Sequence, residues 1–218
     1  MSVMSTTREE QVSESPATAR SVAKEERRKA LVSQAARLFA DSGFAKVSLE
    51  ALGAAVGMSG PAVYRHFPSK QAVLEELLLG VSRRLLDGGR EVMDTAADSG
   101  PDGMALRALV RFHTDFALSQ PEVIRIQDRD FQSLPEASRK QVRELQRAYV
   151  ELWVQALSAE LPGAGPSERR LRVHACFGLI NSTPHSLRER GRTVPAKTAR
   201  PVLEAMAYAA LTAPGGTD

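Results

Sequence analysis

Apolar residues recur at helical spacing along almost the whole chain. In the first long segment, one helix face at positions i, i+4, i+7 and i+8 is formed by Leu31, Ala35, Leu38 and Phe39. The pattern stops at Gly43, a residue type suited to the left-handed conformation that ends many helices. It therefore predicts a helix over residues 24–42.

A second, shorter helix follows after a few residues. Ser48 is placed as its N-cap, and Glu50 lies in the first turn, where a carboxylate interacts favourably with the helix dipole. Its apolar stripe consists of Leu49, Leu52 and Val56. The stripe ends at Gly57, where we expect a tight turn.

The stretch GMSGPAVYRHFPSK, residues 57–70, predicts a third helix that is too short to be stable alone. Ser59 caps this helix, and Pro61 lies in its first turn, where a missing N–H costs nothing. Pro68 ends it, and Ser69 caps a fourth helix that runs through KQAVLEELLLGVSRRLL.

The short third helix has an inner and an outer face. Val63 and Phe67 lie four residues apart and face inward, which directs Tyr64 and His66 outward. Two short helices joined by a tight turn after a longer helix form a helix-turn-helix, whose second helix enters the DNA major groove. Tertiary packing, more than intrinsic propensity, then holds this recognition helix in shape.

The rest of the chain is also predicted to be helical. A polar break, DTAADSGPDG, is followed by helices at residues 102–118, 121–131, 135–161, 167–187 and 195–212. With the first four this makes nine helices, and the fold class is all-α. A winged-helix regulator would need a β-hairpin after the recognition helix, where the pattern is strongly helical.

Composition places the chain among ordinary globular proteins. It has 218 residues, 43% of them hydrophobic and 25% charged, with one cysteine, Cys176, which excludes an internal disulfide framework and a cysteine-rich zinc site. No run approaches the roughly 18 apolar residues that span a bilayer. The first residues are polar and acidic, unlike a signal peptide. We expect a cytoplasmic protein with a disordered polar tail over residues 1–22.

Basic residues are concentrated in one part of the chain. The net formal charge is only +3, yet residues 20–70 carry nine basic and four acidic residues, whereas residues 71–218 are balanced. A basic stretch is either a solvated surface or a face that binds a polyanion such as nucleic acid. Charge alone leaves both interpretations open, but the helix-turn-helix lies in this segment.

Residues 24–80 resemble the DNA-binding domain of the TetR family of one-component transcriptional repressors. The resemblance is carried by AARLFADSGFAKVSLEALGAAVGMSGPAVYRHFPSKQAVLEEL. Its most specific parts are the helix end from Leu38-Phe39 to Gly43-Phe44, the turn from Ala54 to Gly57, and Tyr64 and Phe67 followed by Lys70. It implies a nine-helix regulator with a helix-turn-helix domain at residues 23–70 and a helical ligand-binding and dimerisation domain at residues 71–218.

The resemblance also implies which residues meet DNA bases and phosphates. These are Ser48, Ser59, Gly60, Pro61, Ala62, Tyr64, His66 and Lys70. Three of them also have a plainer interpretation. Tyr64 is alternatively a half-buried packing residue, His66 an exposed cap contact and Lys70 a surface lysine.

The last two long helices are implied to pair across a two-fold axis as a four-helix bundle, which makes the protein a homodimer. The apolar residues suited to that interface are Val173, Phe177, Ile180, Val202, Met206 and Ala209. The alternative is that these residues only close the protomer's own core.

A ligand cavity is implied for the second domain. Its candidate lining residues are Phe112, Phe116, Ile124, Phe131, Trp153, Phe177 and Asn181. An aromatic residue at helical spacing is equally compatible with plain core packing. Asn181 differs, because an amide among apolar residues needs a partner if buried, either a ligand or a backbone carbonyl.

Two arginines suggest the chemistry of that ligand. Arg125 and Arg129 lie four residues apart and would share a helix face near the cavity mouth, where they could bind phosphates or a carboxylate. The stretch VIRIQDRDFQSLP loosely resembles TetR-type regulators of lipid and acyl-CoA catabolism, so an acyl-CoA is the first candidate. The alternative is surface pairing of the arginines with Asp128, Asp130 or Glu122.

Nothing in the sequence indicates an enzyme. The chain has no glycine-rich phosphate loop, no GxSxG, no HExxH and no strand-helix alternation. His113, His174 and His185 are scattered and fit a core or rim position better than a catalytic base or metal ligand, and no cofactor is expected. We expect a repressor that releases double-stranded operator DNA when a small hydrophobic effector binds. The alternative output is activation, or a ligand that acts as corepressor.

Overall fold

The computed structural model describes residues 16–99, 104–186, 188–189 and 192–214, which form ten α-helices. They are α1 (Pro16–Ser42), α2 (Leu49–Ala55), α3 (Gly60–Tyr64), α4 (Lys70–Ser99), α5 (Met104–Ser119), α6 (Pro121–Asp130), α7 (Glu136–Glu160), α8 (Pro166–Asn181), α9 (Thr183–Ser186) and α10 (Ala196–Thr212). Single 3-10 turns occupy Phe44–Lys46 and Phe131–Ser133. The predicted all-α class is confirmed, with one addition, the single-turn helix α9.

Helix ends differ from the prediction at three places. Helix α1 begins at Pro16, so residues 16–22 of the predicted polar tail are helical, while residues 1–15 lie outside the described residues. Helix α4 continues through the predicted break as far as Ser99, because no glycine or proline interrupts the predicted break before Gly100. Polar composition alone therefore does not end a helix.

The third difference is at the end of α8, which stops at Asn181 although a helix to residue 187 was predicted. Pro184 lacks an N–H and restricts the residue before it, so the chain turns at Ser182 and restarts as α9. A two-residue antiparallel ladder then pairs β1 (Arg188–Glu189) with β2 (Arg192–Thr193) before α10.

Two hydrophobic clusters form the core. One lies among α1 to α4 and is built around Phe39, Leu52, Phe67 and Leu78. It also includes Val123 and Ile126 of α6, so the helix-turn-helix unit packs directly on the body. The other cluster fills the space between α5, α7, α8, α10 and the second half of α4. Helix α4 contributes to both clusters and thereby joins the two halves of the chain.

Two glycines in the middle of α4 allow close packing of neighbouring helices. A Cβ atom on Gly88 would lie 2.4 Å from Cζ of Phe112 in α5, and one on Gly89 would lie 2.7 Å from Cε2 of Tyr149 in α7. Each aromatic ring therefore occupies the space of a missing side chain. In the described ranges, no helix combines the length and apolar character that crossing a membrane requires.

Candidate functional site

The turn between α2 and α3 has the geometry of a helix-turn-helix. Gly57 adopts φ +70°, a conformation that side-chain-bearing residues disfavour. Its N–H donates to the carbonyl of Ala54 at 3.1 Å, and the N–H of Met58 donates to the carbonyl of Gly53 at 2.8 Å. This pair of bonds is the Schellman motif that ends helices. The predicted tight turn at Gly57 is present.

Helices α2 and α3 pack closely because Gly53 has no side chain. A Cβ atom there would lie 2.0 Å from Cγ2 of Val63. Val63 and Phe67 are buried, as predicted from their spacing. The five-residue recognition helix α3 is therefore held by packing on α2 and the first core cluster.

Arg28 of α1 ties three parts of this unit together. Its Nε donates to Oε1 of Glu76 in α4 at 2.8 Å, and one terminal nitrogen donates to the carbonyl of His66 at 2.7 Å. Its guanidinium also lies 4.2 Å from the centre of the Phe67 ring. Arg28 is thus a bracing residue, and its charge is already used within the protein.

The outer face of α3 is exposed where DNA contacts were predicted. Ser59, Pro61 and Tyr64 are exposed, whereas Gly60 and Ala62 are partly exposed. Ser48 caps α2, accepting a hydrogen bond from the Ala51 N–H at 3.1 Å. These positions remain predicted DNA contacts.

Tyr64 is 52% exposed, so the packing alternative does not describe its ring. Its hydroxyl donates to Oε1 of Glu50 in α2 at 2.6 Å. This hydrogen bond raises the pKa of Tyr64 and lowers the pKa of the Glu50 carboxyl. The hydroxyl therefore braces α3 against α2, and the ring remains available at the surface.

Basic residues of α1, and Arg65 at the C-terminal end of α3, lie around His66, which is half-buried. Burial lowers the pKa of His66, and the charges of Lys24, Arg27, Arg28 and Arg65 lower it further. These four cations form a positive surface beside the recognition helix. Arg27, which was not among the predicted contacts, lines a surface depression with Ser59 and Ala62.

The structure assigns Lys70 a different role from the predicted phosphate contact. Its Nζ donates to the carbonyls of Phe44, Ala45 and Val47 at 2.9, 3.1 and 3.1 Å. It also lies 4.6 Å from the centre of the Phe44 ring. An ammonium has three donors, and all three are used here, so Lys70 holds the turn between α1 and α2 against the start of α4.

Lys70→Ala is therefore expected to lower domain stability by about 1–2 kcal/mol, since it removes three charge-assisted hydrogen bonds. The salt dependence of DNA binding should keep its slope. If Lys70 instead neutralised a phosphate, the variant's slope of log K against log salt would be shallower by about 0.9 for each protomer bound. Thermal unfolding and salt-dependent binding of the same variant separate the two roles, and a shallower slope without destabilisation would contradict the assignment.

A cavity of about 210 Å³ lies between α4, α5, α6, α7 and α8. Four of the predicted ligand residues line it, namely Phe116, Ile124, Phe177 and Asn181. Its other walls combine apolar residues with histidines, amides and one carboxylate. They include Val81, Leu85, His113, Val123, Gln127, Asp128, Gln146, Tyr149 and His174.

Three predicted aromatic lining residues lie elsewhere. Phe112 packs on Gly88, and Trp153 is fully buried behind the cavity, with its ring 5.0 Å from that of Phe177. Phe131 packs on the first core cluster, beneath the guanidinium of Arg143. For these three residues the plain core interpretation is correct, because helical spacing does not distinguish a cavity wall from the layer behind it.

Arg125 and Arg129 are not at the cavity mouth, and that prediction is corrected. Arg129 donates to the carbonyls of Phe39 and Ala40 in the last turns of α1, and it pairs with Asp130 at 2.9 Å. Arg125 lies 3.6 Å from Oδ1 of Asp41 and 3.9 Å from Oε1 of Glu122. The two arginines join α6 to the C-terminal end of α1, where helix carbonyls attract cations.

Sequence reasoning missed most polar residues of the cavity, among them His113 and Tyr149. His113 is buried, and its Nε2 lies 3.1 Å from Oδ1 of Asn181. The Tyr149 hydroxyl lies 3.4 Å from the other ring nitrogen of His113. The signal is a histidine on the apolar face of α5, which by itself indicates an ordinary core or rim residue. Its partners come from α7 and α8, which the sequence alone does not bring together.

The outer faces of α8 and α10 expose an apolar surface. We define this apolar face by the exposed residues Leu171, Ala175 and Gly178 of α8 and Val202, Ala205, Met206, Ala209 and Ala210 of α10. Val202 and Met206 are 54% and 52% exposed. A Cβ atom on Gly178 would meet no other atom within 4 Å, so the backbone of α8 is open to a close approach.

Half of the predicted dimer residues lie in this face, and half do not. Val202, Met206 and Ala209 are exposed, whereas Val173 and Ile180 are fully buried and Phe177 lines the cavity. For the buried pair, the alternative that they close the protomer's own core is correct. These residues lie on the core side of α8 and not on its exposed side.

Comparisons with known proteins support this architecture. Residues 31–77 match the profile of bacterial regulatory proteins of the tetR family, and residues 104–208 match the profile of the tetracyclin repressor-like C-terminal domain. The HTH-type transcriptional repressor KstR2 of Rhodococcus jostii is 28% identical over 162 residues, which are 72% of this chain and 76% of that protein.

Solved structures share the fold. A TetR-family regulator from Bordetella parapertussis superposes with a TM-score of 0.72 at 22% identity, over 84% of this chain and 94% of that one. AibR, in complex with isovaleryl coenzyme A and operator DNA, superposes with a TM-score of 0.62 at 19% identity, over 83% of this chain and 97% of that one. With the helix-turn-helix geometry and both profile matches, the chain belongs to the TetR family of DNA-binding transcriptional regulators.

Proposed function

We propose that the protein is a ligand-responsive repressor that binds its operator as a homodimer and releases it when a small hydrophobic effector fills the cavity. The observation that carries this proposal is the position of the cavity against α4. Val81 and Leu85 of α4 form part of its wall, and the same helix begins at Lys70, directly after the recognition helix. A ligand that displaces α4 therefore moves α3.

Helix α6 provides a second structural connection between the cavity and the helix-turn-helix unit. One face, with Val123 and Ile124, lines the cavity, and another face carries Arg125 and Arg129, which hold the end of α1. Helix α1 packs on α4 and α2 within the helix-turn-helix unit. An effector that favours one position of α6 would thereby favour one position of this unit. Coupling of this kind needs only a difference in effector affinity between the two arrangements.

The apolar face supports the homodimer. An exposed stripe of small and apolar residues on two neighbouring helices is typical of a surface that is buried in an assembly. Two copies that pack this face against each other would form a four-helix bundle, and a two-fold axis would relate the two recognition helices. The two half-sites of an operator lie about 34–36 Å apart, so the two recognition helices must be held at a matching distance from each other.

Cavity size limits the effector. A cavity of about 150 Å³ holds benzene, so 210 Å³ admits a ring with a short substituent or a short acyl chain. AibR was solved with isovaleryl coenzyme A, whose acyl part is of that size. An acyl-CoA remains the first effector to test, with its acyl chain inside the cavity. Its phosphates would lie outside, because Arg125 and Arg129 are not at the mouth.

Operator binding is expected to depend on the basic surface beside α3. An operator selected from random duplex DNA should bind with a slope of log K against log salt of about −0.9 for each phosphate contacted. Arg27→Ala with Arg65→Ala should weaken binding and make this slope shallower. A matched variant, Arg147→Ala with Arg90→Ala, removes two exposed cations from other helices and should change neither. Equal effects of both variants would contradict the assigned DNA surface.

The effector response is tested on the same complex. Isovaleryl-CoA and hexanoyl-CoA, titrated into operator-bound protein, should release the DNA, while coenzyme A alone should not. Phe116→Trp narrows the cavity and should reduce the response without changing operator affinity. If no acyl-CoA and no uncharged apolar ring compound releases the DNA, the cavity has no effector role.

A further inference from the structure

A small polar network interrupts the apolar wall of the cavity. It consists of His113 of α5, Tyr149 of α7 and Asn181 of α8, all of which line the cavity. The His113 ring also stacks on Phe177, with ring centres 4.7 Å apart and planes at 28°. Three polar side chains from three helices thus meet beside an aromatic surface. Buried polar groups cost free energy unless they have partners, so each donor and acceptor here needs an assignment.

The positions of the protons in this network follow from the single proton that a neutral imidazole carries. Burial lowers the pKa of His113 to about 4, so the imidazole is neutral near pH 7 and carries one proton. Oδ1 of Asn181 is an acceptor, so the proton resides on Nε2, which donates to it at 3.1 Å. Nδ1 is then an acceptor, and the Tyr149 hydroxyl donates a hydrogen bond to it at 3.4 Å.

This assignment leaves the Asn181 amide nitrogen as the donor with which the polar network can bind a ligand. An asparagine side chain has two N–H donors on Nδ2, and neither forms a hydrogen bond with another residue in the described part of the chain. Because His113 uses the oxygen, the amide cannot rotate without losing that bond. His113 is therefore a positioning residue that keeps Nδ2 available to a ligand.

We infer that the effector carries an uncharged carbonyl oxygen beside its apolar body, and that Asn181 Nδ2 donates a hydrogen bond to this oxygen. The inference rests on the proposed effector role of the cavity. A ketone, ester or thioester oxygen only accepts hydrogen bonds, which matches a group that only donates. The apolar body would lie against the rings of Phe116 and Phe177.

A charged ligand group fits this position poorly. None of the described residues that line the cavity is a lysine or an arginine, so a carboxylate beside Asn181 would be buried without a counter-charge. Asp128, at the exposed side, adds negative charge. An ammonium group would face the N–H donors of Asn181, which it cannot use. The neutral carbonyl therefore satisfies both the donor and the charge of the site.

Matched ligand pairs that differ in one oxygen test the inference. The first pair is 4-methylcyclohexanone and methylcyclohexane, and the second is hexanoyl-CoA and its thioether analogue S-hexyl-CoA. Binding is measured by calorimetry and by the fluorescence of Trp153, the single tryptophan, whose ring contacts Phe177. In the wild-type protein the carbonyl compound of each pair should bind about 10- to 100-fold more tightly.

Two variants test whether Asn181 is the source of the preference for carbonyl compounds. Asn181→Leu should reduce it to less than threefold, whereas Gln146→Leu, which changes an amide in the same cavity outside the network, should retain it. Equal binding within both pairs by the wild-type protein would overturn the inference, and so would a preference that survives Asn181→Leu. If no compound of either pair binds, the proposed effector role itself fails. The wild-type comparison holds even if Asn181→Leu does not fold.

Discussion

Met206→Arg is expected to leave the protomer folded, convert the protein to a monomer and weaken operator binding by about 100-fold or more. Met206 is 52% exposed at the centre of the α10 stripe, so the substitution leaves the protomer's own core unchanged. Two copies packed through the apolar face would bury the new charge without a partner. A monomer binds one half-site and loses the gain in affinity from two linked recognition helices.

Sedimentation at micromolar concentration and operator binding check this expectation together. Gln141→Arg places the same charge on an exposed position of α7 and is the control that should remain dimeric. Circular dichroism verifies the helical content of both variants. A Met206→Arg protein that stays dimeric and binds normally would exclude the apolar face as the interface. So would a wild-type protein that is monomeric at that concentration.

His113 is expected to make the protein sensitive to mild acid. Burial lowers its pKa in the folded state to about 4, whereas an unfolded chain has a histidine pKa near 6.5. Between these values the unfolded state binds more protons, so stability is complete above about pH 6.5 and falls as the pH decreases towards 4. From pH 7.5 to pH 5 the loss is about 2 kcal/mol from this residue alone.

The quantity to measure is the difference in the pH dependence of unfolding free energy between the wild type and a His113 variant. Urea unfolding of the wild type and of His113→Gln at both pH values removes the contributions of the other titrating groups, which the two proteins share. The variant should be less stable at pH 7.5, because glutamine does not reproduce the stacking and hydrogen bonds of the imidazole, but it should lose about 2 kcal/mol less on acidification. The same pH dependence in both proteins would show that His113 is not the titrating group.

The helix-turn-helix could be predicted because its determinants are local. Gly57 sets the turn, Ser48 caps α2, and Val63 and Phe67 face inward at a spacing of four, so each feature is written within a few consecutive residues. The intramolecular contacts of Lys70 could not be predicted on this basis. Its three carbonyl partners lie 23 to 26 residues earlier in the chain, and nothing in the local pattern indicates that they approach its ammonium group.

The cavity could be predicted only in part, for a related reason. Periodicity gives the side of a helix that faces inward, and this is sufficient for Phe116 and Phe177. Periodicity does not give the depth of a residue below the surface of the cavity. It therefore places Trp153 and Phe112 in the cavity wall, although they lie one layer behind it. The position of Arg129 could not be predicted, because its partners, at the end of α1, are about 90 residues away.

If the cavity has the effector role that we propose, a substitution at Gly89 would change effector specificity without changing a cavity residue. Gly89 lies in α4, behind the polar network, and the ring of Tyr149 fills the space that a side chain would take. A methyl group there would displace the phenol and, through His113, turn the amide of Asn181. Divergence of effector specificity among close relatives is therefore expected to involve this second layer of small residues, where one carbon atom redirects a hydrogen bond.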